Sequence, residues 1–313
     1  MISVIIPAYN EEKCIKRAYT EIHSLLQENK IESEFIFVDD GSTDRTYERI
    51  TELSEEAENI VGLHFSRNFG KESAISAGLS AVSGRCAVVI DCDLQHPPEK
   101  IVEMYRLWEE GYEIVEGIKK QRGQEKKMYR FGAKFFYSVI SRMAGFDMAN
   151  SSDFKLLDRK VVDVLNKMPE RGFFRAISFW VGYNKTVVEY DVAERVDGES
   201  KWSTRGLVKY AFSNISSYST APMQTVTVLG FIMLMISVIF GIWALIDKIS
   251  GRALEGMTTV IIITIFIGSI IMISLGIIGY YIARIYEEIK GRPKYIISST
   301  TRSRIKSSNL YNQ

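Results

Sequence analysis

Short runs of apolar residues alternate with amphipathic stretches over the first 120 residues of the chain. Residues 4–8, 35–38, 61–65, 87–90 and 114–116 have the length and the β-branched content of buried strands. Helical periodicity over residues 11–27, 44–57 and 71–82 fills the gaps, and Ser42-Thr43-Asp44 is a cap-like start for the second helix. Strands separated by helices of this length predict βαβ units, and hence an α/β fold with a mostly parallel sheet in three layers.

The pattern changes after Pro222, where residues 224–246 and 258–283 carry no charged side chain. Each stretch is long enough to cross ~30 Å of hydrocarbon at about 1.5 Å per residue. The sequence therefore predicts a two-helix transmembrane hairpin within residues 223–284. A pair of buried core helices is the alternative, and it is disfavoured because helices of soluble proteins rarely stay apolar on every face over such a length.

Basic residues follow the second apolar stretch: Arg284, Lys290, Arg292, Lys294, Arg302, Arg304 and Lys306. By the positive-inside rule, residues 285–313 form a basic cytosolic tail. A hairpin returns the chain to its starting side, so the main domain, residues 1–202, is also predicted to be cytosolic on a multi-pass protein of the plasma membrane. The strand-like opening of the chain, which differs from a signal peptide, indicates the same side.

Residues 203–222 connect the two parts. Leu207, Tyr210, Ala211 and Ile215 share one helical face there, which predicts an amphipathic segment lying at the membrane interface. An ordinary surface helix of the soluble domain fits the same pattern equally well.

Composition narrows the choice of partners. The 313 residues are 46% hydrophobic and carry a formal net charge of +1. A near-neutral chain has no global field to attract nucleic acid, so no nucleic-acid partner is predicted, and anionic ligands must be held by local clusters. The three cysteines have no Cys-x-x-Cys spacing, which predicts a reducing compartment without a disulfide framework.

Acidic side chains follow the predicted strand 87–90. Asp91 and Asp93 alternate at the strand end, so both carboxylates can project towards the same side of a crevice. Mg²⁺ or Mn²⁺ typically takes one or two carboxylates and completes its shell with water and substrate phosphates. Such a metal neutralises charge on a leaving diphosphate. Gln95 and His96 follow closely and could each add a ligand, so the sequence predicts a metal and nucleotide-diphosphate site here.

Asp39 and Asp40 end another predicted strand. Gly41 permits a positive φ, and Ser42 or Thr43 is expected to cap the next helix. Two adjacent carboxylates at the end of a buried strand are costly without hydrogen bonds. We therefore expect a base or ribose to supply those bonds. The same reasoning applies to residues 7–11, which follow the first strand.

Six segments in one order carry a family resemblance: residues 7–11, 38–44, 68–71, 91–99, 152–155 and 198–201. Together they resemble the glycosyltransferase family 2 enzymes, specifically the polyprenyl-phosphate glycosyltransferases related to dolichyl-phosphate mannose synthase. The match spans roughly residues 2–222. The paired C-terminal spans resemble the bacterial subgroup that loads undecaprenyl phosphate.

The resemblance implies a GT-A fold, a nucleotide-diphosphate sugar donor, Mg²⁺ or Mn²⁺, and inversion at the anomeric carbon. It implies three groups of site residues. The nucleotide-binding group is Pro7, Tyr9, Glu11, Asp39, Asp40, Lys71 and Asp91, and the metal ligands are Asp93 and Gln95 with Asp91. The acidic residue near the acceptor is Asp153, and the basic residues near the phosphates are Arg195 and Lys201. The sequence departs from the family at His96, where many relatives have Asp, and at Lys119 with Arg122, where an arginine pair is usual.

The acceptor-side carboxylate of this family is often described as a base. A phosphate monoester has its second pKa near 6, so its oxygen is already largely anionic at pH 7. A carboxylate with a reference pKa near 3.9 would also be a weak base. We therefore predict that Asp153 positions the acceptor or orients a cation. Candidate cations are Arg171, Arg175, Arg195, Lys201 and Arg205, of which Arg195 and Lys201 flank a loop that could close over the site.

The predicted function is inverting transfer of glucose or N-acetylglucosamine from UDP to polyprenyl phosphate at the cytosolic membrane face. The product would be a lipid-linked sugar for modification of cell-envelope glycans. A mannosyltransferase that uses GDP-mannose and a non-catalytic membrane scaffold are alternatives. A processive polysaccharide synthase is disfavoured, because the chain has no Gln-x-x-Arg-Trp element. The resemblance also implies a possible homo-oligomer assembled through the membrane part and the tail.

Overall fold

A computed structural model describes residues 1–120, 152–168, 174–191 and 257–301, together with scattered positions between 231 and 250. The chain divides into two compact units. One unit comprises Met1–Lys201 and Pro293–Gln313, and the other comprises Trp202–Arg292. The first unit contains the predicted site residues that the structure describes.

Eight strands form one sheet among the described residues: β1 (Ile2–Ala8), β2 (Ser33–Asp39), β3 (Ile60–Phe65), β4 (Cys86–Val89), β5 (Ile114–Lys119), β6 (Lys155–Asp158), β7 (Lys185–Tyr190) and β8 (Ile297–Thr300). Their order is β7-β5-β6-β4-β1-β2-β3-β8. Strands β4, β1, β2 and β3 run parallel, as do β5 and β7, whereas β6 and β8 are antiparallel to their neighbours. The predicted mostly parallel sheet is confirmed, and all five predicted strands are present.

Six helices of the first unit are described: α1 (Ile15–Glu28), α2 (Thr46–Glu56), α3 (Lys71–Ser80), α4 (Glu99–Glu109), α5 (Arg159–Lys167) and α6 (Phe174–Trp180). Successive side chains of β1 point to opposite faces of the sheet, and a separate apolar cluster lies on each face. Val4 and Ile6 face a cluster with residues of α1, α2 and α4, whereas Ile5 faces a cluster with residues of α3, α5 and α6. Every residue of β1 is buried, as expected for a central strand covered on both faces.

Two predicted helix starts are wrong. Helix α1 begins at Ile15 rather than at Glu11, because residues 10–14 belong to a loop that is bonded to the next βα connection. The N–H groups of Asn10 and Glu11 donate to Ser42 Oγ and Thr46 Oγ1, both at 2.8 Å. Two N–H groups that a helix would leave unpaired are thus satisfied across the loops.

Capping of the second helix by Ser42 or Thr43 is also wrong, and α2 begins at Thr46 rather than at residue 44. Ser42 accepts from Asn10, and the N–H of Thr43 donates to Asn10 Oδ1 at 2.9 Å, so both residues join the loops to each other. Asp44 Oδ1 accepts the N–H of Thr46 at 3.0 Å. The side chain of Asp44 therefore provides the local hydrogen bond at the start of α2.

The second unit contains one long described helix, α7 (Met257–Ile289). Its segment Phe266–Ala283 spans 18 residues with a mean hydropathy of 2.0 and none of it buried. Within the described parts of the chain, this is the one helix that is long and apolar enough to cross a membrane. The predicted span 258–283 lies inside α7. The span 224–246 and the segment 203–222 fall on residues that are not continuously described, so the hairpin stays a prediction.

The predicted tail is not a separate element over its whole length. It begins within α7, and residues 297–300 then form β8, which pairs antiparallel with β3. The N–H of Ser66 donates to Ile296 O at 3.0 Å, and the N–H of Thr301 donates to Gly62 O at 3.0 Å. Residues 302–313 lie outside the described range. The C-terminal segment thus supplies an edge strand to the sheet of the N-terminal domain.

Candidate active site

The loops after β1, β2 and β3 are packed together at the carboxyl end of the sheet. Gly41 has φ +66°, and a Cβ at this position would lie 2.3 Å from the backbone carbon of Arg67. A side chain there would meet both the strain of a left-handed backbone and the neighbouring chain. Gly41 therefore lets the loop after β2 lie directly on the loop after β3, beside residues 7–11.

Asp39 is fully buried and is satisfied within the protein. Its Oδ1 accepts the N–H of Ser42 at 3.0 Å. Its Oδ2 lies 2.6 Å from Nδ1 of His64, the residue opposite it on β3. The ring of Tyr47 stacks on His64 with centroids 4.5 Å apart. These two contacts come from the protein itself, and the place of Asp39 in the nucleotide-binding group stays a prediction.

Asp40 is satisfied in a different way, by backbone groups of the loop after β3. It accepts the N–H of Phe69 at 2.7 Å and the N–H of Gly70 at 2.9 Å. Burial raises the pKa of Asp40, and these two N–H groups oppose the rise. The bonds expected from a nucleoside are thus supplied by the protein, although a carboxylate has further acceptor sites. Asp40 shapes the loop that precedes Lys71.

Lys71 connects two carboxylates that are distant in the sequence. Its Nζ lies 2.6 Å from Asp91 Oδ1 and 3.0 Å from Asp153 Oδ2. Burial lowers the pKa of Lys71, but the two carboxylates outweigh this effect and raise it above the ordinary value. The ammonium group is therefore charged at neutral pH. It joins the carboxylate predicted at the diphosphate to the one predicted at the acceptor.

Arg175 binds Asp153 through two parallel hydrogen bonds. Its Nε lies 2.8 Å from Oδ1, and its Nη2 lies 3.0 Å from Oδ2. This two-pronged geometry is the strong form of an arginine–carboxylate pair. Burial opposes ionisation of Asp153, but Lys71 and Arg175 outweigh burial and hold the pKa of that carboxyl well below its usual range. Asp153 is anionic and already engaged by two cations, which agrees with the prediction that it orients a cation.

A second buried ion pair anchors the segment around Asp153. Lys155 is 1% exposed, and its Nζ lies 3.1 Å from Glu116 Oε1 and 2.8 Å from Ser178 Oγ. Glu116 Oε1 also accepts the N–H of Ser152 at 3.0 Å. Removing one partner of a buried pair leaves an uncompensated charge, so this pair fixes the chain on both sides of Asp153.

The predicted metal ligands lie in the turn after β4. Asp93 Oδ1 accepts the N–H of Gln95 at 3.1 Å, and the intervening Leu94 has φ 54°. Asp91 is engaged by Lys71, whereas Asp93 has no ion pair with any described residue. One carboxylate and one amide oxygen, with phosphate and water, suit Mg²⁺ or Mn²⁺. Across the described ranges, no group of three or more His, Cys, Asp or Glu residues could hold a metal ion.

His96 and Cys92 pack in the protein interior. The ring of His96 lies 5.1 Å from Phe154 and 5.4 Å from Tyr190, and burial lowers its pKa. A role as metal ligand, considered from the sequence, gains no support from this packing. Cys92 is 3% exposed within the apolar core, and burial raises its pKa well above the ordinary value. The pattern of alternation thus directs Cys92 away from its two acidic neighbours.

Comparison with known proteins agrees with this geometry. The sequence model of Glycosyl transferase family 2 matches residues 3–165, from β1 to α5. The chain belongs to glycosyl transferase family 2. It is therefore a glycosyltransferase, and the acidic turn after β4 lies within the matched part of the family.

Relatives and solved structures extend the match. The chain is 38% identical over 300 residues to a glycosyltransferase of Synechocystis, covering 95% of this chain and 94% of the relative. It is 36% identical over 304 residues to the SfII prophage-derived bactoprenol glucosyl transferase of Shigella flexneri, covering 96% and 98%. Glucosyl-3-phosphoglycerate synthase from Mycobacterium tuberculosis, solved with Mn²⁺, uridine diphosphate and phosphoglyceric acid, is 21% identical. That structure has a TM-score of 0.50 and covers 69% of this chain and 76% of its own, which shows the shared fold.

The remaining predicted site residues divide by location. Pro7 is the last residue but one of β1, and Tyr9 is 44% exposed in the following loop. Glu11 lies beside Cys14, where burial and a hydrogen bond to Glu11 raise the pKa of the thiol to about 11. Other predicted residues lie outside the described ranges: Arg122, Arg171, Arg195, Lys201 and Arg205.

Sequence reasoning missed four residues whose contacts hold the segments around Asp153 and Arg175: Glu72, Glu116, Lys155 and Ser178. Lys155 carried a detectable signal, because it is a lone charge in the apolar run from Phe154 to Leu157. A buried lysine is almost always paired, so that run indicates a buried partner. The other three residues carried no such signal.

Proposed function

We propose that this enzyme transfers a glucosyl residue from UDP-glucose to polyprenyl phosphate at the cytosolic face of the membrane, with inversion at the anomeric carbon. The observation that carries the proposal is similarity over almost the whole chain to a protein named bactoprenol glucosyl transferase. The likeness extends beyond the catalytic domain into the part of the chain that contains α7. An apolar helix of that kind suits an enzyme whose acceptor is a membrane lipid.

The proposed reaction exchanges one bond for another at the sugar C1. An oxygen of the acceptor phosphate attacks C1, the bond from C1 to the diphosphate oxygen breaks, and UDP leaves from the opposite face. The attacking phosphate has its second pKa near 6, so no proton must be removed at neutral pH. This matches the finding that Asp153 is committed to Lys71 and Arg175. The two cations would screen repulsion between the anionic acceptor and donor.

The family's metal fits the residues present. Asp93 and Gln95 would hold Mg²⁺ or Mn²⁺ with the donor phosphates, and the ion would neutralise charge on the departing diphosphate. Asp91, at the start of the same turn, is paired with Lys71. We infer that Lys71 keeps Asp91 oriented towards the diphosphate and couples it to the acceptor side through Asp153.

A donor panel tests the proposal. Membranes containing the full-length chain are incubated with polyprenyl phosphate, Mn²⁺ and radiolabelled UDP-glucose, UDP-N-acetylglucosamine or GDP-mannose. Label from UDP-glucose in the lipid extract, release of UDP, and a β-linked product from the α-linked donor are expected. Asp93→Asn should abolish the product, whereas the matched surface variant Asp163→Asn, on α5, should not. Absence of lipid-linked product with every donor would refute the assignment.

The same panel separates the remaining donors. Incorporation from UDP-N-acetylglucosamine alone would keep the reaction class and change the sugar. Incorporation from GDP-mannose alone would establish the mannosyltransferase alternative. Glucose is placed first because the relative from Shigella flexneri is named a glucosyl transferase.

A further inference from the structure

Glu72 is a partly buried acidic residue to which the proposed chemistry assigns no role. It lies in the first turn of α3, directly after Lys71. Its Oε2 accepts the backbone N–H of Phe174 at 2.8 Å, across 102 positions of sequence. Phe174 is the first described residue of α6, and its N–H is bonded to this side chain. Glu72 therefore holds the beginning of α6 from the neighbouring helix.

This hydrogen bond closes a ring of contacts around Asp153. Phe174 directly precedes Arg175, which binds Asp153 through two hydrogen bonds. Asp153 in turn binds Lys71, which is adjacent to Glu72 in the chain. Two consecutive residues of α3 thus hold the same group of contacts. Lys71 binds the carboxylate of Asp153, and Glu72 binds the backbone of α6.

The other end of the same helical turn is fixed separately. Ser178 Oγ donates to Arg175 O at 3.1 Å and accepts from Lys155 Nζ at 2.8 Å. Lys155 is itself paired with Glu116. The guanidinium of Arg175 is therefore placed by contacts on both sides of its backbone. Among the described residues, Glu72 supplies the side-chain contact to the amide of Phe174.

We propose that Glu72 is a positioning residue, which holds the start of α6 so that Arg175 keeps both of its hydrogen bonds to Asp153 during glycosyl transfer. The inference deepens the proposed function and rests on it. Burial and the charge of Asp153 raise the pKa of Glu72 to about 7. A protonated carboxyl keeps a carbonyl oxygen that can accept an N–H, so the acceptor atom, rather than the charge, carries this role.

Two variants separate the acceptor from the charge. Glu72→Ala removes the acceptor, whereas Glu72→Gln keeps an oxygen in the same position. Glu103→Ala is the matched control, because Glu103 pairs with Lys100 on the surface of α4. The full-length proteins are compared in membranes with UDP-glucose, polyprenyl phosphate and Mn²⁺. Hydrogen exchange of the Phe174 amide is measured in parallel.

Glu72→Ala should lower kcat about 10- to 100-fold, the scale of a displaced catalytic constellation, with the KM for UDP-glucose within about twofold. Exchange at the Phe174 amide should accelerate by about tenfold or more. Glu72→Gln and Glu103→Ala should each retain kcat within about threefold and keep the wild-type exchange rate.

The inference is overturned if Glu72→Ala keeps wild-type kcat, or if Glu72→Gln loses as much activity as Glu72→Ala. Should Glu72→Ala fail to fold, Glu72→Gln decides alone: retained kcat and a protected Phe174 amide support the role, and loss of either refutes it. If wild type forms no lipid-linked product, the proposed function fails. The exchange measurement then still decides whether Glu72 holds α6.

Discussion

Asp153 is held between Lys71 and Arg175, and this arrangement determines what its carboxylate can contribute. An acceptor phosphate that is already anionic needs orientation and screening more than it needs a base. Two cations keep Asp153 ionised, and they are fixed by it in return. At the scale of single residues, the site is therefore a set of mutually oriented charges, with Glu72 and Lys155 anchoring the backbone around them.

Replacing Asp153 tests this assignment. Asp153→Asn keeps the shape and one acceptor oxygen, so we expect about a tenth of wild-type kcat and little change in donor binding. The measurement is steady-state kinetics of lipid-linked product formation. Asp163→Asn, in an exposed ion pair of α5, is the control. A loss beyond ~10³-fold with intact donor binding would instead indicate proton transfer by Asp153.

The raised pKa of Glu72 also predicts that the folding stability of the protein depends on pH. Folding raises its pKa from an ordinary 4.5 to about 7, so the folded state favours the protonated carboxyl. The stability that protonated Glu72 contributes is complete below pH 4.5 and is lost as the pH rises through about 7. We expect the Tm of wild type minus that of Glu72→Gln to fall by about 2–6 °C between pH 5 and pH 8.

Thermal melting of both full-length proteins in detergent at the two pH values measures this difference. Subtracting the variant removes the contributions of other titrating groups such as His96, whose pKa shifts in the opposite direction. A Tm difference that is the same at both pH values would contradict the assignment.

At the scale of elements, the βα loops build the site by packing on one another. Gly41 lies against the backbone at Arg67, and Asp40 binds the amides of Phe69 and Gly70. The loop after β2 thereby sets the position of the loop that leads into Lys71. The edge strand β8 supports the far side of β3, whose His64 binds Asp39.

A methyl group at position 41 should be strongly destabilising. Gly41→Ala adds the strain of a left-handed residue, about 1–2 kcal/mol, and a clash with backbone that cannot move aside. We expect a Tm at least about 5 °C below wild type. Gly182→Ala is the matched control, because Gly182 has φ +70° and, among the described residues that are not its chain neighbours, the atom nearest to an added Cβ is Trp180 O at 3.9 Å. Equal effects of the two substitutions would argue against the packing of the two loops.

Docking of the segment that leads into β8 can be tested separately. The ring of Tyr295 stacks on Phe65 with centroids 5.1 Å apart, and its hydroxyl lies 3.2 Å from Ser80 Oγ. Tyr295→Ala should cost about 1–3 kcal/mol of folding stability through lost burial and stacking. Ile296→Ala, at a side chain that is 46% exposed, should have a much smaller effect. Denaturant titration of the full-length proteins compares the two variants, and indistinguishable midpoints would contradict docking of this segment.

At the scale of the whole molecule, the chain combines a catalytic unit with a unit that contains an apolar helix. The 18-residue segment Phe266–Ala283 corresponds to about 27 Å of helix at 1.5 Å per residue, close to the ~30 Å of a hydrocarbon core. The C-terminal segment that follows this helix belongs to the catalytic unit. The chain therefore leaves the catalytic unit and returns to it.

We expect the full-length protein to remain in the membrane fraction after alkaline carbonate washing. Ile271→Lys, at a position that is 53% exposed in α7, should weaken retention because a central lysine costs about 2.5–3.5 kcal/mol on insertion. Ile271→Val is the control. Release of the wild-type protein by carbonate would contradict membrane spanning by α7.

The sequence by itself determined the α/β order, the parallel sheet, the family and the acidic turn after β4. These features are local, because alternation, turn residues and motif spacing are written in consecutive positions. The helix starts were misjudged because side chains of Ser42 and Thr46 satisfy amides of the loop after β1. The partners of Asp39 and Asp40 were also supplied by distant parts of the chain, His64 of β3 and the amide of Phe69 in the loop after β3.

Only the tertiary structure decided which charges meet. It brought Lys71, Asp153 and Arg175 together from three separate elements, bound Glu72 to α6, and returned residues 297–300 to the sheet. Such contacts depend on how elements pack, and burial then decides how strongly each pair interacts. No local pattern records them, because a charged residue has the same letter in the sequence whether it lies in solvent or between two carboxylates.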